Sequence, residues 1–166
     1  MLKINTKDLL YNRLIKTVSY IGLFLLFALP AYFWSDLPEV IPIHYGANGQ
    51  PDGFGKKSTL WVLAIIAGFL FMIIQQVNQY PQYFNYPVAV TEKNKKALYR
   101  QAQQLMSIVN TYVVLLFLYI QWQTIQVARG LAEGLGTYFL VVVFLPVLLG
   151  AGFAIKQTFR KRNSAS

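Results

Sequence analysis

The sequence predicts an all-α integral membrane protein of four transmembrane helices, with a small extracytoplasmic hairpin-like cap between helices 1 and 2. Three observations carry that prediction. The chain is 55% hydrophobic with a mean hydropathy of +0.41, too apolar for an ordinary soluble domain. Uncharged runs recur at 17–34, 59–77, 105–127 and 137–155, each near the roughly 17 to 25 residues that cross a hydrocarbon core of about 30 Å. The basic residues also fall unevenly about those runs. Four lie in 1–16, four at 93–100 and four in 156–162, all on one side of a four-span arrangement, whereas only Lys56, Lys57 and Arg129 fall opposite.

Residues 1–16 form a basic amphipathic segment. Asn5, Thr6 and Asp8 offer a helix start ahead of Leu9, Leu10 and Leu14, which predicts a short interfacial helical piece leading into the first span. A signal peptide is the rival reading of that span. Its apolar core is usually about 7 to 15 residues and ends at small residues, whereas this run is longer and ends in Pro30, Tyr32, Phe33 and Trp34. An anchor with an aromatic belt fits better.

The loop 35–58 is the most distinctive stretch. It pairs β-friendly Val40, Ile41, Ile43 and Tyr45 with turn chemistry at Gly46, Asn48-Gly49 and Pro51-Asp52-Gly53, predicting a short extended piece followed by two tight turns. Ser58 or Thr59 can cap the second span, which ends near Gln75, Gln76 and Asn78. Residues 78–90 carry prolines and aromatic rings suited to a non-helical linker at headgroup level. Thr91 is expected to cap a third helix with basic first turns, continuous to Ala128. A glycine-bearing hinge at 129–136, the fourth span and a basic tail at 156–166 follow.

Short loops rich in Lys and Arg stay cytoplasmic. The termini and the second loop are therefore expected inside, and 35–58 outside, in a multi-pass protein of the bacterial cytoplasmic membrane. The net charge of +9 then reflects orientation and attraction to anionic lipid, at about 1 kcal/mol per basic residue, and calls for no nucleic acid. Membrane lipids are the first expected partners, and a homo-oligomer is compatible with the sequence.

The chain has no cysteine, which excludes disulfides, thiolate metal sites and a cysteine nucleophile. It also carries no G-x-S-x-G, H-E-x-x-H or Walker pattern, so no catalytic residue is assigned and no cofactor is expected. His44 and Asp52 stand eight residues apart across turns, close enough to converge, and would be the ligands of any metal. A catalytic zinc site usually takes three protein ligands. The bland alternative keeps His44 bonded within the loop and Asp52 in an Asx-type turn. On the third helix Asn110, Gln121 and Thr124 fall near one face at 100° per residue. They either line a pocket beneath the cap, or Asn110 bonds between helices and the glutamines sit in the outer interface.

The order Pro38, Ile41-Pro42, His44, Gly49, Pro51-Asp52, Gly55 and Lys56, set between a first and a second span, resembles the domain of unknown function that opens the SdpI-type toxin-immunity proteins. The resemblance covers roughly residues 18–71. It implies an outward loop that meets a secreted peptide or a membrane-protein partner, in immunity, sensing or assembly. The loop residues it singles out are Pro42, His44, Gly49, Pro51 and Asp52, to which the turn chemistry adds Asn48. Two other functions remain beside this one. One is a small membrane enzyme or metal site using His44 and Asp52, and the other is a purely structural membrane subunit.

Overall fold

A computed structural model of the chain describes residues 6–146 and Leu148. Helix α1 spans Thr6–Phe33, strands β1 and β2 span Val40–Tyr45 and Pro51–Lys56, helix α2 spans Thr59–Val77, and helix α3 spans Lys95–Ala128. A single 3₁₀ turn at Pro81–Tyr83 lies between α2 and α3. Three helices among the described residues are long and apolar enough to cross a membrane. Helical backbone resumes over 139–146, but the rest of the expected fourth span and the 156–166 tail lie outside the described residues.

Several local expectations need correction. The helical piece expected ahead of the first span is continuous with it, α1 running unbroken for 28 residues. Thr91 does not cap α3, whose flanking residue is Asn94. The Asn94 side chain accepts from the Thr91 N–H at 2.8 Å and so closes a turn just before the helix. The protein is mostly helical but not all-α, since β1 and β2 pair antiparallel. Pro51-Asp52-Gly53 opens the second strand instead of forming a second turn.

Helix α3 packs against both α1 and α2. Its 34 residues reach about 51 Å at 1.5 Å per residue, well beyond a bilayer core of about 30 Å. The bundle centre is a cluster of Leu26, Ala64, Ala67, Phe71 and Val114. Small side chains on α2 let the helices approach closely, which is how helices pack where lipid removes the hydrophobic drive. Gly22 serves α1 in the same way, since a Cβ there would lie 2.9 Å from Cγ1 of Val114. A second cluster, Leu37, Ile41, Leu60 and Ile125, seats the hairpin on the helix ends. Leucine, isoleucine, phenylalanine and valine side chains on the outer faces are exposed, Phe24 at 69% and Phe69 at 59% among them, as a lipid-facing surface requires.

Polar groups tie the helices together at the end away from the hairpin. Ser19 Oγ lies 2.7 Å from Thr111 Oγ1. Asn78 and α3 engage reciprocally: Asn78 Nδ2 donates to Gln103 O and Ser107 Oγ, and Gln103 Nε2 donates to Asn78 O. Such bonds fix helix register where no water competes.

Candidate functional site

The hairpin owes its shape to two bulges that cancel. Val40, Ile41 and Pro42 pair with Lys56, Gly55 and Phe54, and the register then slips to His44 with Gly53 and returns at Tyr45 with Pro51. Ile43 is thus the extra residue on β1 and Asp52 the extra residue on β2. Proline beside a bulge is its usual place in a sheet, because it has no N–H for the ladder. The glycines of β2 leave room for the side chains opposite. A Cβ on Gly53 would come within 3.0 Å of His44 Cβ, and one on Gly55 within 2.7 Å of Ile43 Cδ1.

The bulge at Asp52 brings its carboxylate to His44, with Nδ1 to Oδ1 at 2.5 Å. A carboxylate only accepts, so Nδ1 carries the proton and Nε2 is the free ring nitrogen. Both side chains are exposed, at 73% and 52%. Among the described residues no group of three or more His, Cys, Asp or Glu side chains gathers, so this pair alone would contribute two ligands to a metal.

Asn48 and Gly49 form the tip. Gly49 N–H donates to Gly46 O at 2.9 Å and Gln50 N–H to Asn48 Oδ1 at 3.1 Å, while Gly49 takes φ +77°, a conformation open chiefly to glycine. Pro42 is buried and Pro51 half-buried; both act as strand residues. Tyr45 anchors the strand below the tip by donating to Thr124 Oγ1 at 3.0 Å. Burial pushes the Tyr45 phenol above its ordinary pKa, against a smaller lowering by the Thr124 hydrogen bond.

Lys57 holds the base. Its side chain is 12% exposed and Nζ donates to Trp34 O at 3.2 Å and Leu37 O at 3.3 Å. It pairs with Glu39 Oε1 at 3.0 Å and sits 4.9 Å from the centroid of the Trp34 ring. The Lys57 N–H also donates to Glu39 O. One ammonium therefore joins the end of α1, the start of β1 and the start of α2. Trp34 and Trp61 rings flank this point, as do Phe33 and Trp122, placing an aromatic belt at the hairpin end.

The tip docks onto the segment after α3. Leu135 N–H donates to Gly49 O at 2.8 Å, and Tyr119 OH donates to Leu135 O. Leu135 is only 2% exposed. Between tip and segment lies a groove of about 430 Å³, lined on one side by Asn48 and Gln50 and on the other by Glu133, Thr137 and Phe139, with Gln123 of α3 between them. Apart from the tip residues, sequence reasoning missed this groove. Its signal was Gly134-Leu135-Gly136, which reads as a hinge but marks a close backbone approach.

Asn110, Gln121 and Thr124 are all buried, at 3%, 0% and 5%, yet they meet different neighbours. Asn110 Nδ2 donates to Phe71 O at 3.3 Å and borders a space of about 10 Å³ beside Ser19 and Ser107. Gln121 Nε2 donates to Leu26 O at 2.5 Å. Thr124, with Tyr45, lines a pocket of about 70 Å³ under the hairpin. Of the two readings, Asn110 makes the interhelical bond, and Gln121, read there as an interface residue, bonds between helices as well.

These features define a membrane-embedded protein whose first two spanning helices are joined by an ordered β-hairpin. Residues 21–68 match the family model described as "Domain of unknown function (DUF1648)", the domain to which the loop motif pointed, and the match runs from within α1 to within α2. A relative from Archaeoglobus fulgidus, described as an uncharacterized protein, is 37% identical over 78 residues, which is 42% of this chain and 43% of the relative. The likeness thus spans under half of that relative's length. No solved structure matches the chain.

Proposed function

We propose that this protein is a binding module of the bacterial cytoplasmic membrane whose hairpin faces outward and meets a peptide or protein partner. Immunity or sensing of the SdpI type, or membership of a larger membrane complex, is the setting this implies. One observation carries the reading. The hairpin is fixed from within by Ile41, Tyr45 and Lys57, yet its surface holds the His44–Asp52 pair together with Val40, Ile43 and Phe54, exposed at 61%, 46% and 61%. Exposed aromatic and aliphatic side chains around a polar pair, on a rigid support, suit recognition. The outward orientation and the inside termini rest on the sorting of basic residues.

The test is photocrosslinking in cells from a diazirine amino acid at position 54. Capture of one identified peptide or protein, lost in His44→Ala and in Asp52→Ala while both variants accumulate normally, is the expected result. Capture of lipid alone, or an unchanged pattern in both variants, would overturn it.

A metal or proton-transfer site is the second reading, favoured by the His44–Asp52 contact, since a carboxylate on Nδ1 fixes the tautomer that offers Nε2 as a ligand or base. Stoichiometric metal in the purified protein, lost in His44→Ala, would move the assignment there.

A further inference from the structure

We infer that the groove between the hairpin tip and the segment after α3 binds a primary alkylammonium group, as carried by a lysine side chain or a peptide amino terminus. The inference rests on the hairpin end being a recognition surface, but it uses none of the residues of the His44–Asp52 pair. At about 430 Å³ the groove falls in the usual range of ligand sites, about 300 to 1,000 Å³. Among the described residues its lining includes no lysine, arginine or histidine, and the one formal charge there is the Glu133 carboxylate. Among the described residues no ion pair engages Glu133, and the side chain is exposed.

The neighbouring groups add acceptors. Gln123 donates its amide N–H to Tyr119 Oη at 3.3 Å, which orients the side chain and leaves Oε1 to accept. An ammonium has three donors and no acceptor, so a carboxylate and an amide oxygen lining one groove complement it, whereas an anion would find repulsion. Phe139 and Leu140 border the same groove and would cover the alkyl chain that carries the charge, as long cationic side chains require when they bury their stems.

The wider charge pattern agrees. At the hairpin end Lys57 is neutralised by Glu39, Arg129 lies over the Phe33 ring at 4.7 Å, and Lys56 stands exposed at the end of β2. None of the three forms an ion pair with Glu133 among the described residues.

The experiment uses the full chain in lipid nanodiscs and three diazirine-bearing tripeptides. These are acetyl-Leu-Lys-Leu-amide, its Nε-acetyllysine counterpart, and Leu-Ala-Leu-amide with a free amino terminus. The expected result is labelling confined to residues 47–50 and 132–140 by a peptide that carries an ammonium. Whether the lysine or the amino-terminal peptide labels decides the source of that group. Glu133→Gln should weaken the labelling at least about tenfold, a loss of about 1.4 kcal/mol, and added salt should weaken it further. Ala132→Trp, which fills the groove without touching the charge, should abolish it. Equal labelling by the acetylated peptide, labelling elsewhere, or indifference to Glu133→Gln would overturn the inference. His44→Ala should leave the labelling intact. Failure of capture at position 54 beside intact groove labelling would therefore remove the proposed role of the His44–Asp52 pair alone, and the reverse pattern would remove only the ammonium site.

Discussion

Gln121 donates to the carbonyl of Leu26, the acceptor that Pro30 leaves open four residues later in α1. Proline has no N–H, so its helix loses the bond to residue i−4. In lipid that carbonyl has no water to turn to, and a wholly buried amide from α3 supplies the donor instead.

The relationship predicts a coupled pair. Gln121→Leu alone should lower stability by about 0.5 to 2 kcal/mol, the span of values for interhelical hydrogen bonds in membranes. In a Pro30→Ala background, where residue 30 can again donate to Leu26 O, the same change should cost less. A double-mutant cycle read by thermal unfolding in one detergent measures the difference, and strictly additive effects would refute the coupling.

Gly134 should be indispensable for docking of the tip. A Cβ there would fall 2.2 Å from Gly49 O, whereas one on Gly130 meets nothing within 4 Å despite φ +72°. Gly134→Ala is expected to release the tip and accelerate hydrogen exchange of the Leu135 amide by an order of magnitude or more. Gly130→Ala should cost only backbone strain, about 1 kcal/mol, and leave that amide protected.

Lys57→Met is expected to strip two carbonyls of their donor and cost about 1 to 3 kcal/mol. Glu39→Gln should cost less than about 1 kcal/mol, because its side chain is 85% exposed and solvent screens such a pair. Emission from the Trp34 and Trp61 pair, 6.0 Å apart, reports the change. A spectrum unaltered in Lys57→Met would count against the clamp.

Tyr45 predicts the alkaline limb of stability. Burial raises its phenol pKa above 10.0 in the folded chain, so the unfolded chain deprotonates first as pH rises. The contribution is complete below pH 10 and is lost as pH climbs through the folded value. Tyr45→Phe should flatten that limb, as judged by unfolding midpoints at pH 9 and 11, and should remove one late-titrating tyrosine from the phenolate absorbance near 295 nm, leaving Tyr86, whose pKa is also raised.

What was legible in the sequence was what local chemistry decides. Uncharged length marked α2 at Thr59–Val77, Asn48-Gly49 marked a turn, and the spacing on α3 put Asn110, Gln121 and Thr124 near one face. Pairing hid the rest. Pro51-Asp52-Gly53 has strong turn chemistry, but opposite Tyr45 and His44 it is drawn into a strand, with the mismatch absorbed as a bulge at Asp52. The groove was out of reach because its walls come from segments more than 80 residues apart, and nothing in the glycines at 134 and 136 says which backbone they approach. Lys57 counted only as one of three basic residues on the outward side, since its carbonyl partners at Trp34 and Leu37 depend on how α1 ends.

The open carbonyl at Leu26 also bears on how the protein is made. Chain synthesis delivers α1, the hairpin and α2 before Gln121 exists, so the matched segment 21–68 enters the membrane with an acceptor it has no means to satisfy. Docking of α3 supplies a donor that α1 and α2 do not offer that carbonyl among the described residues, so the third helix adds to the pair a bond as well as packing surface.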